Sequence, residues 1–152
     1  MTPNDIIKYC LEQLADVVEV ISWGERSIFY NPGGVLKRGV YVMTIKEKDG
    51  PNDNSSKLNR DGIWRVNIGI RQTTFQQRFG DLPKRPGKGG VVNMPYDFTT
   101  LDTILPHPVY AWMGWVSVLN PSSETFDHLK PLINEAYEFA QEKLRKRQKL
   151  DL

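Results

Sequence analysis

Leu105–Pro121 reads LPHPVYAWMGWVSVLNP, and the parsing of this stretch decides the fold. It holds one of the chain's two histidines, two of its four tryptophans and three of its ten prolines, so stiff backbone and bulky apolar surface coincide. Pro106 and Pro108 fix the backbone on either side of His107. Trp112–Leu119 is bulky and β-branched and predicts the last strand, which Asn120-Pro121 ends. Trp112 and Trp115 are three apart in that strand, so they face opposite ways, and one of them can border a ligand groove. Trp115 itself is expected to be largely buried beside Gly114. Beyond the stop, Ser122 or Ser123 caps a helix, with Glu124 in its first turn. Leu129, Leu132, Ile133, Ala136, Phe139, Ala140 and Leu144 form its apolar stripe. Pro131 predicts either a kink or the start of a second helix.

Upstream, Thr2-Pro3-Asn4-Asp5 reads as a capping box opening a helix over Pro3–Ala15. Ile6, Ile7, Cys10, Leu11 and Leu14 make its apolar stripe. Val17–Trp23, Ser27–Tyr30 and Val40–Lys46 read as three strands separated by turn residues. Residues 49–62 are a polar loop in which only Leu58 suits a core. Ile63–Ile70 alternates, with Trp64, Val66, Ile68 and Ile70 on one face and Arg65 and Asn67 on the other, the pattern of a half-buried strand. Thr73 or Thr74 caps a short helix closed by Gly80. Residues 81–96 form a Gly/Pro-rich loop too long for a mere connector. Asp97–Ile104 is expected to form one or two helical turns. Short turns between strands imply antiparallel pairing. The expectation is a two-layer α+β fold: one antiparallel sheet of about five strands, with the N- and C-terminal helices on one face.

The length of 152 residues fits a single domain, 1–152, with a real core. Lys plus Arg number 20 against 18 Asp plus Glu, so a basic surface must come from local clustering. A single cysteine, Cys10, excludes an internal disulfide framework. No basic n-region with an apolar h-region opens the chain, and no apolar run would span a bilayer. A soluble, cytoplasmic protein that contacts no membrane is expected.

Several pieces together resemble the MmcQ/YjbR family of small bacterial proteins. They are Ser22-Trp23-Gly24 with Phe29-Tyr30, Ile63–Ile70 running into Thr73–Phe79, Pro106–Tyr110 followed by Gly114–Val118, and Glu135-Ala136-Tyr137. The HPVYAWMGWVSVLNP stretch resembles, more closely still, an uncharacterised bacterial domain of unknown function. The wider resemblance implies a frataxin-like (CyaY-like) fold and nucleic acid as a partner.

The residues themselves offer two sites. His107, between its prolines and shortly after Asp97 and Asp102, suggests a base oriented by a carboxylate. The plainer reading is a turn histidine whose ring bonds to backbone. With Tyr110, Trp115 and Asp102 it makes a candidate ligand pocket. Arg71, Arg78, Lys84, Arg85 and Lys88 oppose Asp81 alone between positions 71 and 90, and Arg78, Lys84, Arg85 and Lys88 are the candidate nucleic-acid contacts. Pro86–Gly90 is no phosphate loop, because no Ser or Thr follows Lys88. Cys10, His107 and His128 lack zinc spacing, and Asp5, Glu12 and Asp16 are too sparse for an acidic ridge. No nucleophile constellation, metal or cofactor is expected. The leading reading is a noncatalytic binding module working through the uncovered sheet face and the 81–96 loop. The alternative is a small-molecule-binding protein or small enzyme with a pocket around His107.

Overall fold

A computed structural model describes residues 1–150. Helix α1 spans Pro3–Gln13 and opens with the expected box: Asp5 N–H donates to Thr2 Oγ1, and Thr2 N–H to the Asp5 carboxylate. The strands β1 (Val17–Ser22), β2 (Glu25–Tyr30) and β3 (Val40–Lys46) follow as a meander. Then come β4 (Arg65–Ile68), α2 (Gln72–Phe79), β5 (Leu105–Pro106), β6 (Val116–Leu119) and α3 (Ser123–Leu150). The sheet order is β1-β2-β3-β4-β6-β5, with every neighbour antiparallel.

Both terminal helices cover the same face. Ile6, Ile7 and Cys10 of α1, Leu14 just after it, and Leu129, Ile133, Ala136 and Ala140 of α3 share one core with Ile28, Met43, Ile45, Val66, Ile68 and Val118 of the sheet. Cys10 is buried there, its sulfur 3.4 Å from that of Met43. The desolvated thiol is pushed up to about 12, which leaves it inert. Tyr137 ties the helices together by donating its hydroxyl to Ala15 O at 2.7 Å.

The fold is the expected two-layer α+β arrangement, its sheet six-stranded because Leu105-Pro106 pairs with Ser117-Val116 at an edge, where a proline's missing N–H is tolerated. Several local expectations need correction. The last strand starts at Val116. Ala111–Met113 is a 3-10 turn, closed by Gly114 at a φ of 95°. Trp112 therefore lies in a turn and has no strand face. Trp115 is half-buried. Leu11 is 47% exposed, because the α1 stripe closes on Cys10 and Leu14. The 97–104 segment is not helical; Asp97 folds back to accept from Thr99 instead. Arg71, not a threonine, precedes α2. Ser122 caps α3 through Thr125 N–H at 3.2 Å. That helix runs through Pro131 without a break, since Leu129, Leu132 and Ile133 on either side hold one stripe on the sheet.

The larger departure is on the face away from the helices. Directly opposed residues of antiparallel strands share a face. The pairing therefore lays two rows across it: Glu25–Lys46–Arg65–Leu119, and Ser27–Thr44–Asn67–Ser117–Leu105. Arg65 and Asn67 were expected to meet solvent. They are 0% and 1% exposed. The 47–62 loop and the 105–114 turn fold over this polar face and close most of it.

Candidate functional site

Arg65 is the centre of this second layer. Its guanidinium has five N–H groups, and each has a counterpart. Nε donates to Asn67 Oδ1 at 2.7 Å. Nη1 donates to Ser56 Oγ at 2.8 Å and Asp53 Oδ1 at 3.0 Å, and Nη2 donates to Asp53 Oδ2. The remaining Nη2 proton points at His107 Nε2, 3.3 Å away. Because Arg65 can only donate, Asn67 must turn its oxygen toward it. Its amide nitrogen then donates to Thr44 Oγ1 at 3.0 Å. Burial works to raise the Asp53 carboxyl, but the Arg65 hydrogen bonds and charge outweigh it and hold it below the usual carboxylate range.

His107 is placed by the proline-flanked turn. Its N–H donates to Trp115 O at 3.0 Å, and its Nδ1 accepts from both Val109 N–H and Tyr110 N–H at 3.0 Å. Donors thus face both ring nitrogens, two amides at Nδ1 and Arg65 Nη2 at Nε2. Only a ring with two lone pairs would satisfy all of these contacts, and a neutral imidazole has one. The ring is 2% exposed. Burial first, and the Arg65 charge second, hold its pKa well below the ordinary histidine value. His107 is therefore held as a neutral ring. Neither Asp97 nor Asp102 orients it: Asp97 serves Thr99, and Asp102 accepts from Ser122 N–H at 2.7 Å.

Between the sheet and this turn lies a cleft of about 320 Å³, lined by Glu25, Tyr41, Thr44, His107, Tyr110, Met113 and Trp115. The Tyr41 and Trp115 rings meet edge to face at 6.2 Å, and the His107 and Tyr110 rings lie 5.1 Å apart. Burial, and then the Glu25 charge, push the Tyr41 phenol up. Lys46 reaches Glu25 at 3.8 Å. Three of the expected pocket residues, His107, Tyr110 and Trp115, thus share one cleft. Asp102 does not; it lines a separate surface depression with Arg78 and His128. Lys84 and Lys88 are exposed, and Arg85 stacks its guanidinium over Trp112 at 4.8 Å. Among the described residues no cluster of three or more His, Cys, Asp or Glu could hold a metal ion, and no helix is long and apolar enough to cross a membrane.

A family model matches residues 1–149, that of a family of unknown function, DUF6194. The chain belongs to the DUF6194 family. This match overturns the MmcQ/YjbR resemblance, because DUF6194 is a distinct family and its model covers nearly the whole chain. The HPVYAWMGWVSVLNP stretch therefore describes a DUF6194 chain. No curated protein matches. Among solved structures, a protein from Pseudomonas syringae determined by the Northeast Structural Genomics Consortium is similar, at a TM-score of 0.48 and 11% identity over 92% of this chain and 99% of that one.

The residues that sequence reading missed are Arg65, Asp53, Asn67, Thr44 and Lys46. A signal for them existed. Polar residues stand two apart in each of three strands (Glu25 and Ser27, Thr44 and Lys46, Arg65 and Asn67), and strand pairing brings them onto one face. Gly69 is a further member. A Cβ there would stand 2.9 Å from the Trp115 ring, so glycine is what lets the indole lie on the strand. Gly69→Ala is expected to cost about 1–3 kcal/mol by overpacking and to push Trp115 into the cleft. Denaturant melts and a shifted tryptophan emission would show this; unchanged emission would mean that the indole yields without moving the cleft wall.

Proposed function

We infer that this DUF6194 chain is a single-domain protein that binds a small molecule in the cleft between the helix-free sheet face and the His107 turn. The observation that carries this reading is the cleft itself: a concavity of about 320 Å³ walled by Tyr41, Tyr110, Met113 and Trp115, with the nearly fully buried Thr44 and His107 in its lining. The volume and the aromatic walls suit a compact organic molecule. The test is a titration of the full chain with a set of small planar compounds, followed by amide NMR. Ligand shifts are expected to cluster at Thr44, His107, Tyr110 and Trp115. Shifts confined to other surfaces would refute the reading.

Contact with nucleic acid through the 81–96 loop has one observation in its favour, the exposure of Lys84, Arg85 and Lys88. Against it, Arg85 stacks on Trp112, and Arg78 lines a depression that also holds Asp102. Phosphate contacts would make duplex binding fall steeply with salt, and replacing the three loop residues by Ala would flatten that slope. No binding at low salt removes this reading.

A further inference from the structure

The two edges of the sheet differ. β5, at one end, is two residues long and contains Pro106, features that keep an edge from pairing with another chain. β1, at the other, pairs with β2 over all six of its residues and has no proline, lysine or bulge. Its single charge, Glu19, is neutralised by Arg26 at 2.7 Å. Trp23 and Gly24 both have positive φ and close the β1–β2 hairpin as a two-residue turn. Ser22 and Glu25 are then a hydrogen-bonded pair. By alternation the N–H and C=O groups of Val18 and Val20 turn to β2, and those of Glu19 and Ile21 turn outward. Among the described residues no strand meets them.

Apolar side chains gather along the same edge. Val18 is exposed, Ile21 is 69% exposed and Trp23 is 91% exposed. Leu11 belongs with them. α1 lies over β1 and α3 over β3, and Tyr9 of α1 meets Phe126 of α3 ring to ring at 5.2 Å. Leu11, two residues on, is turned about 200° around the helix, away from α3 and toward the β1 edge. Four large apolar side chains thus rim one unpaired strand, a combination that marks an interaction surface.

β1 is complementary to itself. Two copies related by a twofold axis normal to the sheet would form one continuous antiparallel sheet with the helices on the same side. Directly opposed residues share a face, so the axis must pass through a residue and not between two. Centring it on Glu19 would oppose two like charges. Centring it on Val20 sets Val20 against Val20, Ile21 against Glu19 and Val18 against Ser22. Each outward-turned Glu19 then exchanges both backbone hydrogen bonds with Ile21 of the other copy. We propose that the chain forms a twofold dimer by antiparallel pairing of β1 with β1 of a second copy, centred on Val20.

The test is sedimentation velocity of the full chain over a dilution series, with amide hydrogen exchange on the same samples. The expected result is a particle of twice the chain mass in which the Glu19 and Ile21 amides are protected, and lose that protection on dilution. Ile21→Lys alters a side chain that lies mostly in solvent in a single copy, so it should leave the fold intact and weaken the dimer about tenfold or more. Val20→Cys places a thiol on the axis at a non-hydrogen-bonded pair, where Cα atoms approach to about 4.5 Å. It should form an intersubunit disulfide under mild oxidation, and Cys10, being buried, takes no part. A monomer at every concentration overturns the proposal. So does a dimer whose Glu19 and Ile21 amides exchange freely, or one that Ile21→Lys leaves as tight. A dimer in which Val20→Cys does not cross-link overturns the pairing centred on Val20. If Ile21→Lys does not fold, amide exchange in the unaltered chain still decides.

Discussion

Asp53→Ala is expected to destabilise the protein by about 3–5 kcal/mol, because it strands a charge that no other residue can neutralise. The Arg65 side chain is fully buried, and Asp53 supplies both oxygens that face its two terminal nitrogens. Lys46, its neighbour in the same row, already has Glu25 as a partner. The Asp53 side chain is 15% exposed, so solvent screens the pair only slightly. Removing both charges should behave differently. Arg65→Met with Asp53→Ala leaves an apolar strand residue and no orphan ion, and a buried pair replaced by apolar groups is often neutral in stability. Urea melts of the single and double variants separate the two cases. A single variant within about 1 kcal/mol of the unaltered protein would mean that water reaches Arg65 and that the face is less closed than described.

That pair also shows where sequence reading stopped. The helix-covered layer was legible because its signals are local. Thr2 and Asp5 announce α1, the α3 stripe recurs at helical spacing, and alternation in Ile63–Ile70 marks one apolar face. Alternation says only that Arg65 and Asn67 face away from the core. It does not say what they face. A polar residue on a sheet's outer side is normally wet, and here it is dry because a loop 12 positions upstream and a turn 42 positions downstream fold over it. Such long-range closure has no periodicity to read. His107 was legible as a residue with fixed backbone, and its backbone-bonded ring matches the plainer expectation of a turn histidine. Its other partner was not legible. Asp97 and Asp102 are near in sequence, but the strand pairing brings an arginine to the ring instead. Proximity along the chain pointed to a carboxylate that would make His107 a base, whereas burial and the observed cation hold it as a neutral ring.

The second large effect follows from that cation. Stability is expected to fall as pH drops below about 6.5, at up to about 1.4 kcal/mol per pH unit. In the unfolded chain His107 takes up a proton near its ordinary value. In the folded protein the ring is buried against Arg65, with Lys46 adding to the repulsion and Asp53 only partly opposing it, so its pKa lies well below that value. A second ring proton would also have to face either the Val109 and Tyr110 amides or Arg65. Between the two values the unfolded state therefore binds more protons than the folded state, and stability rises with pH. Above the unfolded value neither state holds the proton and the effect is absent. Asp53 acts in the same direction but in a more acidic window: its folded value is depressed below the usual range near 4, so its contribution is lost only as pH falls through that region. The two windows are separable. Urea melts of the unaltered chain between about pH 7.5 and 5 should show the loss, and His107→Asn, which cannot titrate, should flatten the profile there while keeping the more acidic fall. A His107→Asn profile parallel to that of the unaltered chain would show that this ring titrates alike in the folded and unfolded states, and that burial against Arg65 does not hold it neutral.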